Sequence, residues 1–185
     1  MIYDSLPWKR DLAQRATRLE RRKTQRAMRE ASLAAIEHDV FLAAYTTRKL
    51  IEAKKISDEV ASMVLRASAF KPRGVTVDVQ NWDALDRLYD LDSSATLDVK
   101  LGHWCNQLIH SFVFVLELDA SRVAGFFVAS DHEKDSRLLH FSLDVVVDAI
   151  RRVANDEIVA LSWGRDAAGI MRVASVSNRE RRSSR

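Results

Sequence analysis

Residues 105–114 read CNQLIHSFVF, and the chain changes its period in the middle of them. Up to His110 the apolar residues recur at helical spacing. From Ser111 the segment SFVFVLELD is a bare run of Phe, Val and Leu, the composition of a strand. A helix that hands over to a sheet at this point divides the chain into a helical first part and a β-rich second part. The order of elements therefore predicts an α+β fold.

Working outward toward the C-terminus, RVAGFFVAS and SRLLHFS read as two further strands. LDVVVDAIRRVAN follows as an amphipathic helix with Leu143, Val146, Val147, Ile150 and Val153 on one side. EIVALSW and IMRVASV read as a hairpin across GRDAAG, which gives a C-terminal antiparallel sheet of about five strands with one packed helix.

Toward the N-terminus, Thr96 reads as the start of the helix that carries the opening motif. Asn81 reads as the cap of a short helix through Tyr89, and VTVDVQ as a short strand or extended link. Ser57 caps a helix opened by Asp58 and Glu59 and ended by KPRG at 71–74. FLAAYTTRKLIEAKK is a strong helix. Ser5-Leu6-Pro7 starts a long basic one, and no Gly or Pro follows it until Pro72. Leu12, Ala16, Leu19, Ala27, Ala34, Phe41 and Tyr45 form one stripe along this stretch. Unbroken, it would be about 65–70 Å long at ~1.5 Å per residue, so a break near Glu37–Asp39 or a projecting N-terminal half is expected. These readings partition the chain into a basic helical arm (1–37), a helical bundle (38–110), a β-rich subregion with one helix (111–176) and a basic tail (177–185).

Composition sets the broad class. With 47% hydrophobic and 30% charged residues among 185, the chain should fold into one globular unit. No apolar run approaches a membrane span, and MIYDSLPWKRD is not a signal peptide, so a cytoplasmic protein with no membrane partner is expected. The lone Cys105 excludes an internal disulfide and fits a reducing compartment. The net charge is only +3, but residues 9–30 hold nine Lys/Arg against three acids. A basic end on an acidic body suits nucleic acid or an acidic protein partner, or else is a solvated helix face.

On a helical wheel of residues 97–112, Leu97, Leu101, Trp104 and Leu108 share the buried side, with Cys105 and Phe112 beside them. His103, Asn106 and His110 share the opposite side, flanked by Lys100 and Gln107. His103 and Cys105 point apart, and no quartet of metal ligands occurs, so no metal is expected. The five glycines form neither a phosphate loop nor a dinucleotide fingerprint, and no cofactor is expected. Two readings of the stripe stand. Imidazole can move a proton near neutral pH while a neighbouring carboxamide orients a phosphate. Alternatively, Asn106 and His110 only settle the end of a helix beside a sheet. The four tryptophans, His38 and His140 read as structural, and DHEKD at 131–135 as a solvated loop tip.

The Asn-x-x-x-His spacing within CNQLIH resembles the motif of the HEPN superfamily, over about residues 30–112. In that family the motif is Arg-polar-x-x-x-His on one helix of an α-helical bundle. The resemblance implies a metal-independent ribonuclease or its non-catalytic RNA-binding relative, working as a homodimer with two motif helices across the axis. It makes His110 the proton carrier acting on the 2′-hydroxyl and Asn106 its positioning partner. Cys105 stands where the family has Arg. The phosphate side then falls to His103 and Lys100, with Arg48 and Lys49 of RKLIE as cations that could swing in. Arg15, Arg18, Arg22 and Arg26 of the basic helix would hold RNA backbone. The segments FLAAYTTRKLIEAKKISDEV, CNQLIHSFVF and GFFVASD also resemble a group of small uncharacterised bacterial proteins. The second expectation is a regulatory or assembly subunit that docks its Arg-rich helix on a partner.

Overall fold

The computed structural model describes residues 2–25, 29–120 and 122–179. Six helices and seven strands follow in the order α1 (Leu6–Lys23), α2 (Glu30–Glu52), α3 (Asp58–Ala61), β1 (Val64–Pro72), α4 (Leu85–Leu88), β2 (Tyr89–Lys100), α5 (Leu101–Ile109), β3 (Ser111–Asp119), β4 (Arg122–Ser130), β5 (Leu138–Ser142), α6 (Leu143–Ala154), β6 (Ala160–Arg165) and β7 (Met171–Ser177). The fold is α+β, as the handover at His110 predicts. Five strands form one antiparallel sheet in the order β2-β1-β5-β4-β3, and β6-β7 is a separate two-stranded hairpin.

Alternation along the strands gives the sheet two apolar faces. Phe126 and Val128 of β4, Leu139 and Phe141 of β5, Leu65 and Ala67 of β1 point into the core shared with α1, α2, α5 and α6. Their neighbours Ala129, Phe127 and Leu138 point the other way, into a smaller cluster closed by Val77, Leu85, Leu88 and Tyr89. One face is thus roofed by helices and the other by the 73–88 connection. β4 and β5 approach closely at Gly125. A Cβ there would lie 2.4 Å from the Phe141 carbonyl oxygen and 2.6 Å from Nε2 of His140, so glycine is required. His140 spends that nitrogen on Glu117 at 2.8 Å, in keeping with a structural role.

Several expectations are corrected. β1 replaces most of the helix expected from Ser57, and β2 the first turn of the expected motif helix. Ser57 does cap, accepting from the Val60 amide at 3.2 Å, but α3 stops after four residues. From Val64 the chain alternates in burial and joins the sheet instead. The motif helix begins at Leu101 rather than Thr96. Leu97 and Val99 belong to β2, paired with Ala67 and Leu65 of β1. Asn81 caps no helix: its side chain closes a turn, accepting from the Asp78 amide and donating to the Thr76 carbonyl.

The N-terminal break also falls elsewhere. α1 ends at Lys23 and α2 starts at Glu30, whereas Glu37–Asp39 lies inside α2. α1 does not project. Leu12, Ala16 and Leu19 are fully buried, and the helix lies on α6 and α2. Its N-terminus is capped by Asp4, whose carboxylate accepts from the Leu6 amide at 2.9 Å; Ser5 makes no side-chain cap. Ala27 of the predicted stripe, Arg26 and residues 180–185 of the basic tail lie outside the described residues.

Candidate functional site

α5 is pinned at both ends. The Leu101 amide donates to the Met63 carbonyl at 2.9 Å, and the His110 carbonyl accepts from the Asp131 amide, also at 2.9 Å. Leu101, Trp104, Cys105 and Leu108 are fully buried on the side that faces α2 and the sheet. Burial pushes the Cys105 thiol up to about 12, so it is a small core residue and not a nucleophile. The other side of α5 carries Gly102, Asn106 and His110 at successive i, i+4 positions. Asn106 is half-buried and His110 exposed, and among the described residues neither side chain makes a hydrogen bond. His110 closes the helix through its backbone only, its amide donating to the Asn106 carbonyl at 3.1 Å.

A guanidinium reaches this stripe from α2. Nη1 of Arg48 lies 3.7 Å from where a Cβ on Gly102 would stand, while its Nε donates to Glu52 at 2.8 Å. The guanidinium thus lies in van der Waals range of α5 at Gly102, at a distance a Cβ would also tolerate. Gly102 sits one turn, about 6 Å, from Asn106 and about 12 Å from His110 along the axis. Lys49 turns back along α2, donating to Glu52 at 3.0 Å and lying 5.7 Å from the centre of the Tyr45 ring. The hydrogen bonds from Arg48 and then Lys49 hold the Glu52 carboxyl below its usual value. Lys100 is exposed at the N-cap of α5, at the β2 end of the stripe.

His103 sits apart from the phosphate side assigned to it. Its Nε2 lies 3.2 Å from Glu133, 3.1 Å from Gln107 Nε2 and 3.4 Å from Arg137. Gln107 is buried and accepts from the Ser130 amide at 2.9 Å. The 131–137 segment folds back over α5, so Glu133 is not the solvated tip residue expected from DHEKD; its side chain is 15% exposed. Burial opposes its ionisation. The Arg137 hydrogen bond, the charges of Arg137 and His103 and a hydrogen bond from Gln107 outweigh that, and hold the carboxyl below its ordinary value. An imidazole beside a carboxylate is a poor phosphate ligand and a good structural clasp.

The basic helix is the largest difference from expectation. Arg15, Arg18 and Arg22 all turn onto one carboxylate, Asp39 of α2, whose side chain is 4% exposed. Asp39 accepts from Arg15 at 3.0 Å, from Arg18 at 3.0 and 2.7 Å, and from Arg22 at 3.3 Å. Arg15 also holds Asp11 at 2.7 Å. These arginines clamp α1 to α2 and are not a free RNA-binding row. Three guanidiniums against Asp39 and Asp11 still leave an excess of positive charge, and Arg18, Arg21, Arg22 and Gln25 line a cleft of about 410 Å³ there.

Asp39, Glu133 and Arg137 are the residues that spacing along the chain missed. Only the Glu133–Arg137 pair had a local signal, its i, i+4 separation. Among the described residues there is no group of three or more His, Cys, Asp or Glu side chains placed to hold a metal ion. Nor is any described helix long and apolar enough to cross a membrane. Comparison with protein-family models, curated proteins and solved structures finds no match to this chain.

Proposed function

We propose that this protein is an RNA-directed, HEPN-like module whose phosphate-binding face is the outer side of α5. Arg48 supplies the guanidinium that Cys105 cannot, Asn106 donates its carboxamide to the same phosphate, and His110 stands at the helix end as the proton carrier. One observation carries the reading. Arg48 is laid against Gly102, on the stripe where half-buried Asn106 and exposed His110 spend no side-chain hydrogen bond among the described residues.

The chemistry follows the RNA backbone. His110 takes the proton of a 2′-hydroxyl, and the 2′-oxygen attacks the adjacent phosphorus. The bond from phosphorus to the 5′-oxygen breaks, leaving a cyclic phosphate and a 5′-hydroxyl that takes its proton from water. Arg48 and Asn106 offset the charge that gathers on the phosphate oxygens. The cleft at Arg18, Arg21 and Arg22 adds a second, sequence-independent contact to backbone.

The test is incubation of single-stranded RNA with the wild-type protein and with His110→Ala. Cleavage by the wild type, lost at least ~100-fold in His110→Ala with binding retained, supports the catalytic form of the reading. Equal cleavage by both proteins removes His110 from the chemistry. Binding without cleavage by either identifies the non-catalytic form. The docking alternative loses its main support, because the apolar stripe of α1 is already covered by α6 and α2.

A further inference from the structure

In the β6-β7 hairpin the larger apolar residues of β6 face outward, while Val176 of β7, opposite Leu161, is buried. Exposure alternates without interruption from Glu157 to Arg165: Glu157, Val159, Leu161, Trp163 and Arg165 are exposed, and the residues between them are half-buried. Val159 is 54% exposed, Leu161 50% and Trp163 63%, so Trp163 is not in the core. The bulge in this ladder places its extra residue, Ala174, on β7, so the pleat of β6 is regular.

The hairpin is firmly held at both ends. Asp58 accepts from the Val176 amide at 2.9 Å, and buried Asp156 binds Asn178 at 2.9 Å and the Ser57 amide at 2.6 Å. At the tip, Asp166 accepts from the amides of Ala168 and Ile170 and from Arg172. A two-stranded ribbon is marginal by itself, and an exposed apolar edge strand invites pairing with another strand.

The order of side chains on β6 says which strand. Glu157 and Val159 lie just before β6 and continue its alternation; laid antiparallel to a second copy about a two-fold axis at Leu161, the 157–165 segment sets Leu161 opposite Leu161, Val159 opposite Trp163 twice, and Glu157 opposite Arg165 twice. Apolar meets apolar at the centre and acid meets base at both ends, so the strand is complementary to itself. We infer that two copies of this chain pair through the outer edge of β6, joining the two hairpins into one four-stranded sheet. This is an isologous contact, closed at two subunits. It lies on the hairpin and is independent of the RNA reading of α5.

Charge reversal tests it with the whole chain. Sedimentation equilibrium gives the dimer dissociation constant of the wild type, Glu157→Arg, Arg165→Glu and the double variant carrying both changes. Each single change sets like charges opposite each other twice, and should weaken the dimer at least ~10-fold; the double change should return it to within ~3-fold of wild type. Leu161→Lys, which places two ammonium groups at the axis, should abolish the dimer. Circular dichroism reads folding of each variant. A wild type that is monomeric at about 100 µM overturns the inference. So does a dimer indifferent to the single changes, or a double variant no better than either one.

Discussion

Asp39→Asn tests the clamp between α1 and α2 with almost no change in shape. The wild-type carboxylate is 4% exposed and answers three guanidiniums. Removing one member of a buried ion pair costs about 3–5 kcal/mol when the remaining charge is trapped. Here the trap is partial. Arg18 and Arg22 are 39% and 22% exposed and can turn to water. There an ion pair contributes only about 0–1 kcal/mol. Arg15, 11% exposed, is left with Asp11 alone. The balance is a loss of about 2–3 kcal/mol, which at roughly 2–4 °C per kcal/mol for a chain of this size lowers Tm by about 4–12 °C. Urea denaturation followed by tryptophan fluorescence measures it. The same change removes one negative charge from the arginine cleft, so RNA affinity should rise as stability falls, with a salt dependence steeper by about one phosphate contact. A stability loss below about 0.5 kcal/mol would show that the apolar stripe alone holds α1, and would refute the clamp.

Three further outcomes follow from named contacts. Gly125→Ala forces a methyl onto the Phe141 carbonyl and should cost about 1–3 kcal/mol, read as a lower urea midpoint; a neutral substitution would contradict the close β4–β5 approach. Glu133 has a lowered folded-state pKa, so its contribution is present above the ordinary carboxyl value of 4.5 and lost as pH falls through the folded value. The stability gap between wild type and Glu133→Gln should be full at pH 7 and close as pH falls below 4.5, and a gap independent of pH would exclude the ion-pair network. Cys105, buried with its thiol pushed up to about 12, should react with a thiol reagent only at the rate of unfolding. Rapid labelling of the native protein would place it at the surface.

The C-terminal half was legible because its signals are strong and local. SFVFVLELD, RVAGFFVAS and SRLLHFS carry β-branched and aromatic residues in unbroken runs, and LDVVVDAIRRVAN has one wide apolar side. β1 and β2 were not legible for physical reasons. β2 is the edge of the sheet, and DSSATLD faces water on both sides for most of its length, so it shows no apolar period. β1 fills the core with the small residues Ala67 and Ala69, whose alternation is faint, and the Ser57 cap ahead of it promised a longer helix. A break near Glu37–Asp39 was expected from helix length alone, and nothing local marks Asp39 as an ion-pair partner. Its partners lie 17 to 24 residues back.

The candidate site shows the same division. The wheel placed Asn106 and His110 on the outer side of α5, where they are. It also placed His103 with them, and could not foresee Glu133 and Arg137 closing over that imidazole from 30 and 34 residues away. Arg48 was named for its charge, and only the packing of α2 on α5 brings it to Gly102.

The claim at the centre is that α5 and Arg48 meet an RNA phosphate. Fluorescence anisotropy of a labelled single-stranded RNA, titrated from low to high salt with wild type and Arg48→Ala, addresses it directly. Affinity should fall steeply with salt. Arg48→Ala should lower it about 5–10-fold for every sequence tried and reduce the salt slope by about one. No binding at about 50 mM salt, or the same slope and affinity for both proteins, would contradict it.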